Sequence, residues 1–345
     1  MAETNNQTMR WIDFREEPFK LYGINDKFER LPLEVAQATS EGVTNLYAQA
    51  SGGRVRFSTN SRKMCIKIVI EDAEGVGFDL FRCEEEGEIF AAALGIPLSI
   101  CGEAKEVYTD ERMISEDDEM HAYTLYFPYC GKLKSVEIGI DAGARLEEGV
   151  PYRNEKPVVF YGSSITMGVG ADRSGSNYVS MISQRYNMHF LNLGFAGNAR
   201  GEQVLAEYMA GLEMSAFVCD YDHNAYGPTL LRDTHLPLYK TIRAKNPDIP
   251  YIIISRPDGR YNSLAYNKKR RDLIFETYKY AKEHGDNNVV FIDGMSLFEG
   301  PYYHNCTRDG IHPNELGFFR MASKIGPVVA RAIDIQENDS LFDMV

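Results

Sequence analysis

The feature that most constrains this chain is a set of five short, almost wholly apolar segments in its second half: 158–161, 189–193, 216–220, 251–255 and 289–292. Each is bounded by polar residues. A strand with no polar face has to be covered on both sides, which is the situation in a parallel sheet flanked by helices. Helical stretches fall between and after them, over 177–185, 202–213, 236–245, 264–284 and from 314 to about 333. In the last of these, Leu316, Phe319, Ala322, Ile325, Val329 and Ile333 recur at helical spacing. The pattern predicts an α/β domain over residues 151–335 and a short tail over 336–345. The run Lys268-Lys269-Arg270-Arg271 falls in a predicted helix and reads as its solvated face rather than as a nucleic-acid patch.

Upstream the period changes. Met64, Ile66, Ile68 and Ile70 alternate with Cys65, Lys67 and Val69, and the same alternation returns in Tyr123, Leu125 and Phe127 and in Val136, Ile138 and Ile140. Period two with a half-polar face is the mark of antiparallel sheet. Glycines at 52, 53, 75, 77, 87, 102 and 131 punctuate these runs as turns. Residues 21–150 are therefore expected to form an all-β sandwich or jelly roll. Residues 1–20 read as a loose arm, and the Gly, Pro and charge-rich stretch 141–156 as the boundary.

Of the chain's 345 residues, 50 are acidic and 37 are Lys or Arg, giving a net charge of −13. Residues 71–120 alone carry sixteen acidic side chains against three basic ones. Such a surface repels phosphate backbones and anionic bilayers, so nucleic acid and membranes are poor partners. The six cysteines form no C-x-x-C pair, and the first fifteen residues lack the apolar core of a signal peptide. A reducing, cytoplasmic setting is expected.

In an open parallel sheet the functional crevice lies beyond the carboxyl ends of the strands. After the apolar segments come Gly162-Ser163-Ser164, Gly194-Phe195-Ala196-Gly197-Asn198, Tyr221-Asp222-His223-Asn224 and Arg256-Pro257-Asp258, and after the fifth a loop leading to Asp309-Gly310-Ile311-His312-Pro313. A serine hydroxyl is a poor nucleophile until a base takes its proton. Ser164 as nucleophile, His312 as base and Asp309 holding the imidazole tautomer make a set of that kind. The backbone N–H groups of Ser164 and Gly197 and the side-chain amide of Asn224 are the expected donors to an oxyanion, each typically worth about 3 to 4 kcal/mol. Singly, these are a turn or N-cap serine, a turn glycine, a loop asparagine and a helix-start histidine. Their occurrence in order, each at a strand end, points instead to acyl transfer. Arg200, Asp222, Arg256 and Asp258 follow the same strand ends and are expected to line the pocket. The set calls for no cofactor and no metal.

These blocks resemble those of the SGNH hydrolases, also called GDSL esterases or lipases. The first block, Gly-Asp-Ser-Ile/Leu-Thr, is matched by Gly162-Ser163-Ser164-Ile165-Thr166; the second-block glycine by Gly197; the third block by the region ending at Asn224; and the last, Asp-x-x-His, by Asp309 and His312. The resemblance covers about residues 156–335. It implies a three-layer α/β/α sandwich, a triad of Ser164, His312 and Asp309, and an oxyanion hole of Ser164, Gly197 and Asn224. There are departures: Ser163 stands where the family has Asp, and Asp222-His223-Asn224-Ala225 replaces Gly-x-Asn-Asp. The chain is also similar to a branch that carries an N-terminal β domain with a Gly-x-Asp-Leu-Tyr signature, here Gly77-Phe78-Asp79-Leu80-Phe81. That branch is associated with carbohydrate deacetylation.

Three other readings compete. His304, Cys306, Asp309 and His312 are residue types that suit zinc, but a metal site would leave the Ser, Gly and Asn blocks without a purpose. A Gly-x-Ser-x-Gly elbow is broken by Thr166. A sugar-binding protein with a decayed site would not be expected to retain every catalytic part. Among esterases, the acidic surface and the lack of an amphipathic membrane stretch favour a short acyl group, most simply acetyl, on a carbohydrate or similar polar alcohol. The alternative is a lysophospholipase, thioesterase or platelet-activating-factor acetylhydrolase-like lipid esterase.

Overall fold

The computed structural model describes residues 9–72, 77–96, 102–257 and 263–335. The first half holds strands β1 (Met9–Asp13), β2 (Lys20–Tyr22), β3 (Arg54–Thr59), β4 (Lys63–Glu71), β5 (Phe78–Glu84), β6 (Gly87–Leu94), β7 (Lys105–Tyr108), β8 (Arg112–Met113), β9 (His121–Tyr126), β10 (Lys132–Asp141) and β11 (Leu146–Glu148). They form two antiparallel sheets. One runs β1-β10-β4-β7 with β8 beside β4, and the other β11-β3-β9-β5-β6 with β2 beside β3. The alternating residues face inward as their period requires: Met64, Ile66, Ile68 and Ile70 from β4 and Val136, Ile138 and Ile140 from β10 pack against Val55, Phe57, Leu80, Tyr123 and Leu125 from the facing sheet. This is the predicted sandwich.

Two expectations for this half are corrected. Residues 9–20 are not a loose arm throughout, because β1 pairs with β10 from Met9↔Asp141 to Asp13↔Glu137 and Phe14 is fully buried behind it. Nor is the segment 21–150 all β. It contains two helices, α1 (Leu33–Thr39) and α2 (Glu41–Leu46), the second capped by Ser40 Oγ, which accepts from Val43 N at 3.2 Å. Neither helix covers the sandwich. Leu31, Ala36 and Val43 join the core built on one face of the downstream sheet, where their apolar side chains find cover.

The second half contains β12 (Val158–Gly162), α3 (Ser164–Met167), α4 (Tyr178–Tyr186), β13 (Phe190–Gly194), α5 (Gln203–Ala210), β14 (Ala216–Asp220), α6 (Pro228–Lys245), β15 (Tyr251–Ile254), α7 (Leu264–Glu283), β16 (Val289–Ile292) and α8 (Glu315–Ala332). All five strands are parallel, in the order β13-β12-β14-β15-β16. Val158 and Phe160 face the core under α4 and α8, while Val159 and Tyr161 face the one under α1, α2, α5, α6 and α7. Every β12 residue is buried, as the missing polar face required. The chain leaves β12 toward β13 on one side and later returns to β14 on the other. The crevice of such a sheet opens between those two strands. Among the described residues no helix is long and apolar enough to cross a membrane.

Candidate active site

Ser164 occupies this switch point. Gly162, last in β12, pairs with Asp220, last in β14. A Cβ on Gly162 would lie 1.9 Å from Thr166 Oγ1, so the turn from strand to helix closes only over a glycine. Ser163, the residue in place of the family's Asp, is the N-cap of α3: its Oγ accepts from Ile165 N at 3.2 Å, a task an aspartate would share. Ser164 is thus the first residue of a helix, where its own N–H has no partner inside the helix. It is 8% exposed.

Ser164 Oγ lies 2.9 Å from His312 Nε2, and His312 Nδ1 lies 2.7 Å from Asp309 Oδ2. Asp309 Oδ1 also accepts from Ile311 N at 2.9 Å and His312 N at 2.8 Å, so the carboxylate sits inside the turn that carries the imidazole. Partial burial pushes the Asp309 carboxyl up, but the His312 ring and the two backbone N–H groups outweigh it and hold the carboxyl at about 2. It is ionised across the neutral range.

The expected oxyanion donors are assembled differently from the prediction. Gly197 N does not face an open site: it donates to Asn224 Oδ1 at 3.1 Å, while Asn224 Nδ2 donates to Phe195 O at 2.7 Å. The amide is clipped to the 195–197 turn at both ends. This clip uses one Nδ2 hydrogen of Asn224 and leaves the second outside it.

Of the four residues expected to line the pocket, Asp222 does not. It is 1% exposed, with Oδ1 accepting from Arg270 Nε at 2.8 Å and Oδ2 from Arg256 N at 3.0 Å. Arg270, read from sequence as part of a solvated face, is itself 1% exposed. Its helix buries Asn267, Arg270, Ile274, Thr277 and Ala281, a regular helical stripe that was the available signal. The Arg256 side chain is buried. Arg200 stays at the rim, where its Nη2 donates to Gly197 O and Tyr226 OH, each at 3.2 Å. Asp258 lies outside the described residues. His304, Cys306, Asp309 and His312 do not converge as a set: His304 lies tilted against the Tyr303 ring, Cys306 is buried near Arg320, and among the described residues no cluster of three or more His, Cys, Asp or Glu could hold a metal.

Three further residues escaped the sequence reading. Asp220 is buried beneath the nucleophile turn, accepting from Thr166 Oγ1 at 3.1 Å and Tyr178 OH at 3.0 Å. His223, beside Asn224, is kept neutral by burial and by the positive charges of Arg256 and Arg270. Tyr226 is 71% exposed, with the Arg200 guanidinium 4.7 Å from its ring centre.

Burial raises Asp79 to about 6 and Asp220 to about 7, in each case only partly offset by hydrogen bonds. Both values are raised, so the folded state keeps protons that the unfolded chain has already released. Stability from these groups is therefore greatest below about pH 4 and falls as pH rises toward 7. Asn at position 220 removes the charge and keeps an oxygen for the two hydroxyls. Urea unfolding is expected to show the Asp220→Asn variant gaining about 2 to 3 kcal/mol on the wild type between pH 5 and pH 8. A difference independent of pH would contradict this assignment.

A parallel sheet with a Ser–His–Asp chain at its switch point is the arrangement that acyl transfer through an activated serine requires. Residues 155–330 match the sequence model of the GDSL-like lipase/acylhydrolase family, and residues 9–146 match that of the GxDLY domain, the N-terminus of SGNH hydrolase-type esterases. The chain belongs to the GDSL-like lipase/acylhydrolase family, and with it to the carboxylic ester hydrolases. A crystal structure described as a GDSL-like lipase from Bacteroides ovatus is 28% identical, with 95% of this chain and 99% of that one aligned at a TM-score of 0.82. A salicylyl-acyltransferase from a tetracycline biosynthetic pathway shares the fold at 18% identity, 95% and 99% coverage and a TM-score of 0.72. An acetyl xylan esterase from the rumen bacterium Butyrivibrio proteoclasticus does so at 13%, 96% and 100%, with 0.60. No curated protein matches the chain.

Proposed function

We propose that this chain is a serine esterase that removes a short acyl group, acetyl foremost, from a carbohydrate or similar polar alcohol. The observation that carries the reading is the unbroken line from Ser164 Oγ through the His312 ring to Asp309. His312 Nε2 takes the serine proton as Oγ bonds to the acyl carbon. The resulting oxyanion is met by the Ser164 N–H and the second Nδ2 hydrogen of Asn224, and Gly197 serves by orienting that amide. His312 then gives its proton to the departing alcohol oxygen. Water, deprotonated by the same nitrogen, attacks the acyl-enzyme and releases the acid. Asp309, ionised, keeps the ring in the tautomer that leaves Nε2 free to accept.

The acetyl group is supported by the acetyl xylan esterase that shares the fold. The polar alcohol is supported by the acidic surface and by Tyr226. One face of that ring is held by Arg200, which also grips the Gly197 carbonyl, so an open aromatic face stands at the rim of the site. In this reading the protein works in a reducing cytoplasm, consistent with free thiols at all five described cysteines.

A hydrolysis screen of acetylated sugars against alkyl esters of rising acyl length tests the proposal. Acetyl esters of sugars are expected to give the highest kcat/KM. Tyr226→Ala is expected to raise KM for the sugar ester by roughly threefold to tenfold, the factor matching about 0.5–1.5 kcal/mol of ring contact, and to leave ethyl acetate unchanged. A preference for long acyl chains would sink the reading in favour of a lipid esterase.

A further inference from the structure

The segment 167–175, which follows the nucleophile, is gripped from both sides. From the β domain, Ser51 Oγ donates to Met167 O at 2.6 Å, Tyr129 OH to Ala171 O at 3.3 Å, and the main-chain Gly77 O accepts from Ser174 Oγ at 2.8 Å. Asp79, 2% exposed, accepts from Gly175 N at 2.7 Å. The Phe81 ring closes over Gly175, where a Cβ would come within 2.4 Å of it. Gly77, Asp79 and Phe81 all belong to the Gly77-Phe78-Asp79-Leu80-Phe81 signature, whose purpose the chemistry at Ser164 does not explain.

On its other side the same segment meets the triad. Gly168 N and Val169 N both donate to the carbonyl of Ser164, at 3.0 and 2.9 Å. Gly170, at φ +108°, packs so close to the histidine turn that a Cβ would lie 2.3 Å from Pro313 O and 3.1 Å from His312 Cβ. Asp172 N donates to Glu315 Oε1 at 2.6 Å, tying the segment to the first turn of α8. The strap is therefore bonded to the nucleophile's own carbonyl, abuts the base, and is anchored in the β domain.

We propose that Asp79 is a positioning residue of the esterase: through Gly175 it fixes the strap that holds Ser164 and His312 in register, which makes the β domain part of the catalytic apparatus. The proposal rests on the reading of Ser164 and His312 as nucleophile and base. A hydrogen bond from a buried N–H to a carboxylate is among the stronger kinds, and its loss leaves the Gly175 N–H buried without an acceptor. The strap then gains freedom at Gly175, five residues beyond the Gly170 that packs against the histidine turn. Small displacements of this kind reduce rate more than binding, because they act on the geometry of attack.

The test compares wild type with Asp79→Ala, Asp79→Asn and Tyr129→Phe, well below their melting temperatures. Ethyl acetate serves as the substrate because its alcohol is too small to use a sugar subsite. Asp79→Ala is expected to lower kcat about tenfold with KM within twofold, and to slow organophosphonate labelling of Ser164 by the same factor. Asp79→Asn, which keeps an oxygen for Gly175 N, is expected to restore most of the rate. Tyr129→Phe, which loses only a hydroxyl, is expected to lower kcat about twofold to threefold and carries the test if the alanine variant does not fold. An unchanged kcat in the folded variants, or a raised KM at constant kcat, overturns the proposal. Absence of labelling in the wild type instead overturns the Ser164 reading, and the proposal with it.

Discussion

Ser164→Ala is expected to lower hydrolysis of p-nitrophenyl acetate by about four to six orders of magnitude while the melting temperature stays within a degree or two. The size follows from what the substitution removes. With no Oγ there is no atom for His312 Nε2 to deprotonate at 2.9 Å and none to carry the acyl group, so only the oxyanion donors and substrate binding remain. The fold should be indifferent, because Ser163 and not Ser164 caps α3 and the lost hydroxyl bonds only to the partly exposed His312. His312→Ala should cost nearly as much, and the double variant little more than either single one, since the two act as a unit. Stopped-flow absorbance would show the acyl-enzyme burst in the wild type alone. A Ser164→Ala enzyme of undiminished rate would remove the serine mechanism altogether.

The second large effect falls on stability. Arg270→Met is expected to destabilise the protein by about 3 to 5 kcal/mol, because it strands the Asp222 carboxylate in a site that is 1% exposed. Arg270 holds that carboxylate through Nε and Nη2, and Nη2 also donates to the Asp222 carbonyl. The same carboxylate receives Arg256 N, so the pair joins the ends of β14 and β15 to α7. Removing both charges in Asp222→Asn/Arg270→Met should cost clearly less than the sum of the single changes, as expected where the penalty is an unpaired buried charge rather than a lost attraction. Urea unfolding of the four proteins gives the coupling directly. A shift under 0.5 kcal/mol for Arg270→Met would place this arginine among ordinary surface residues.

How much of this was legible in the sequence depended on whether a residue's task is local. The five strands and their order of appearance were readable because a continuous apolar run has few other homes. Ser164, Asp309 and His312 were readable because each sits where a strand or a turn must end. Arg270 was not, since three neighbours of like charge masked a helical stripe whose other members are Asn267, Ile274, Thr277 and Ala281. The orientation of the Asn224 amide depends on a carbonyl 29 residues away, and no local pattern announces it. The loose arm was misread for the same reason. A single edge strand such as Met9–Asp13 draws its stability from β10, more than a hundred residues later in the chain.

The helices α1 and α2 have a consequence for how the chain is made. They leave the ribosome long before β12, β13 and β14, yet Ala36 and Val43 are covered only when that sheet has formed. The sandwich around them can close early on its own contacts, while this helical pair waits with its apolar side bare. Contacts of such long sequence separation form late and leave sticky intermediates in the interval. The two sequence families that meet between residues 146 and 155 therefore do not mark a place where synthesis can pause with one finished unit behind it. The first half completes the burial of Leu31, Ala36 and Val43 only against the second, so the two halves share one apolar core although each has a sequence family of its own.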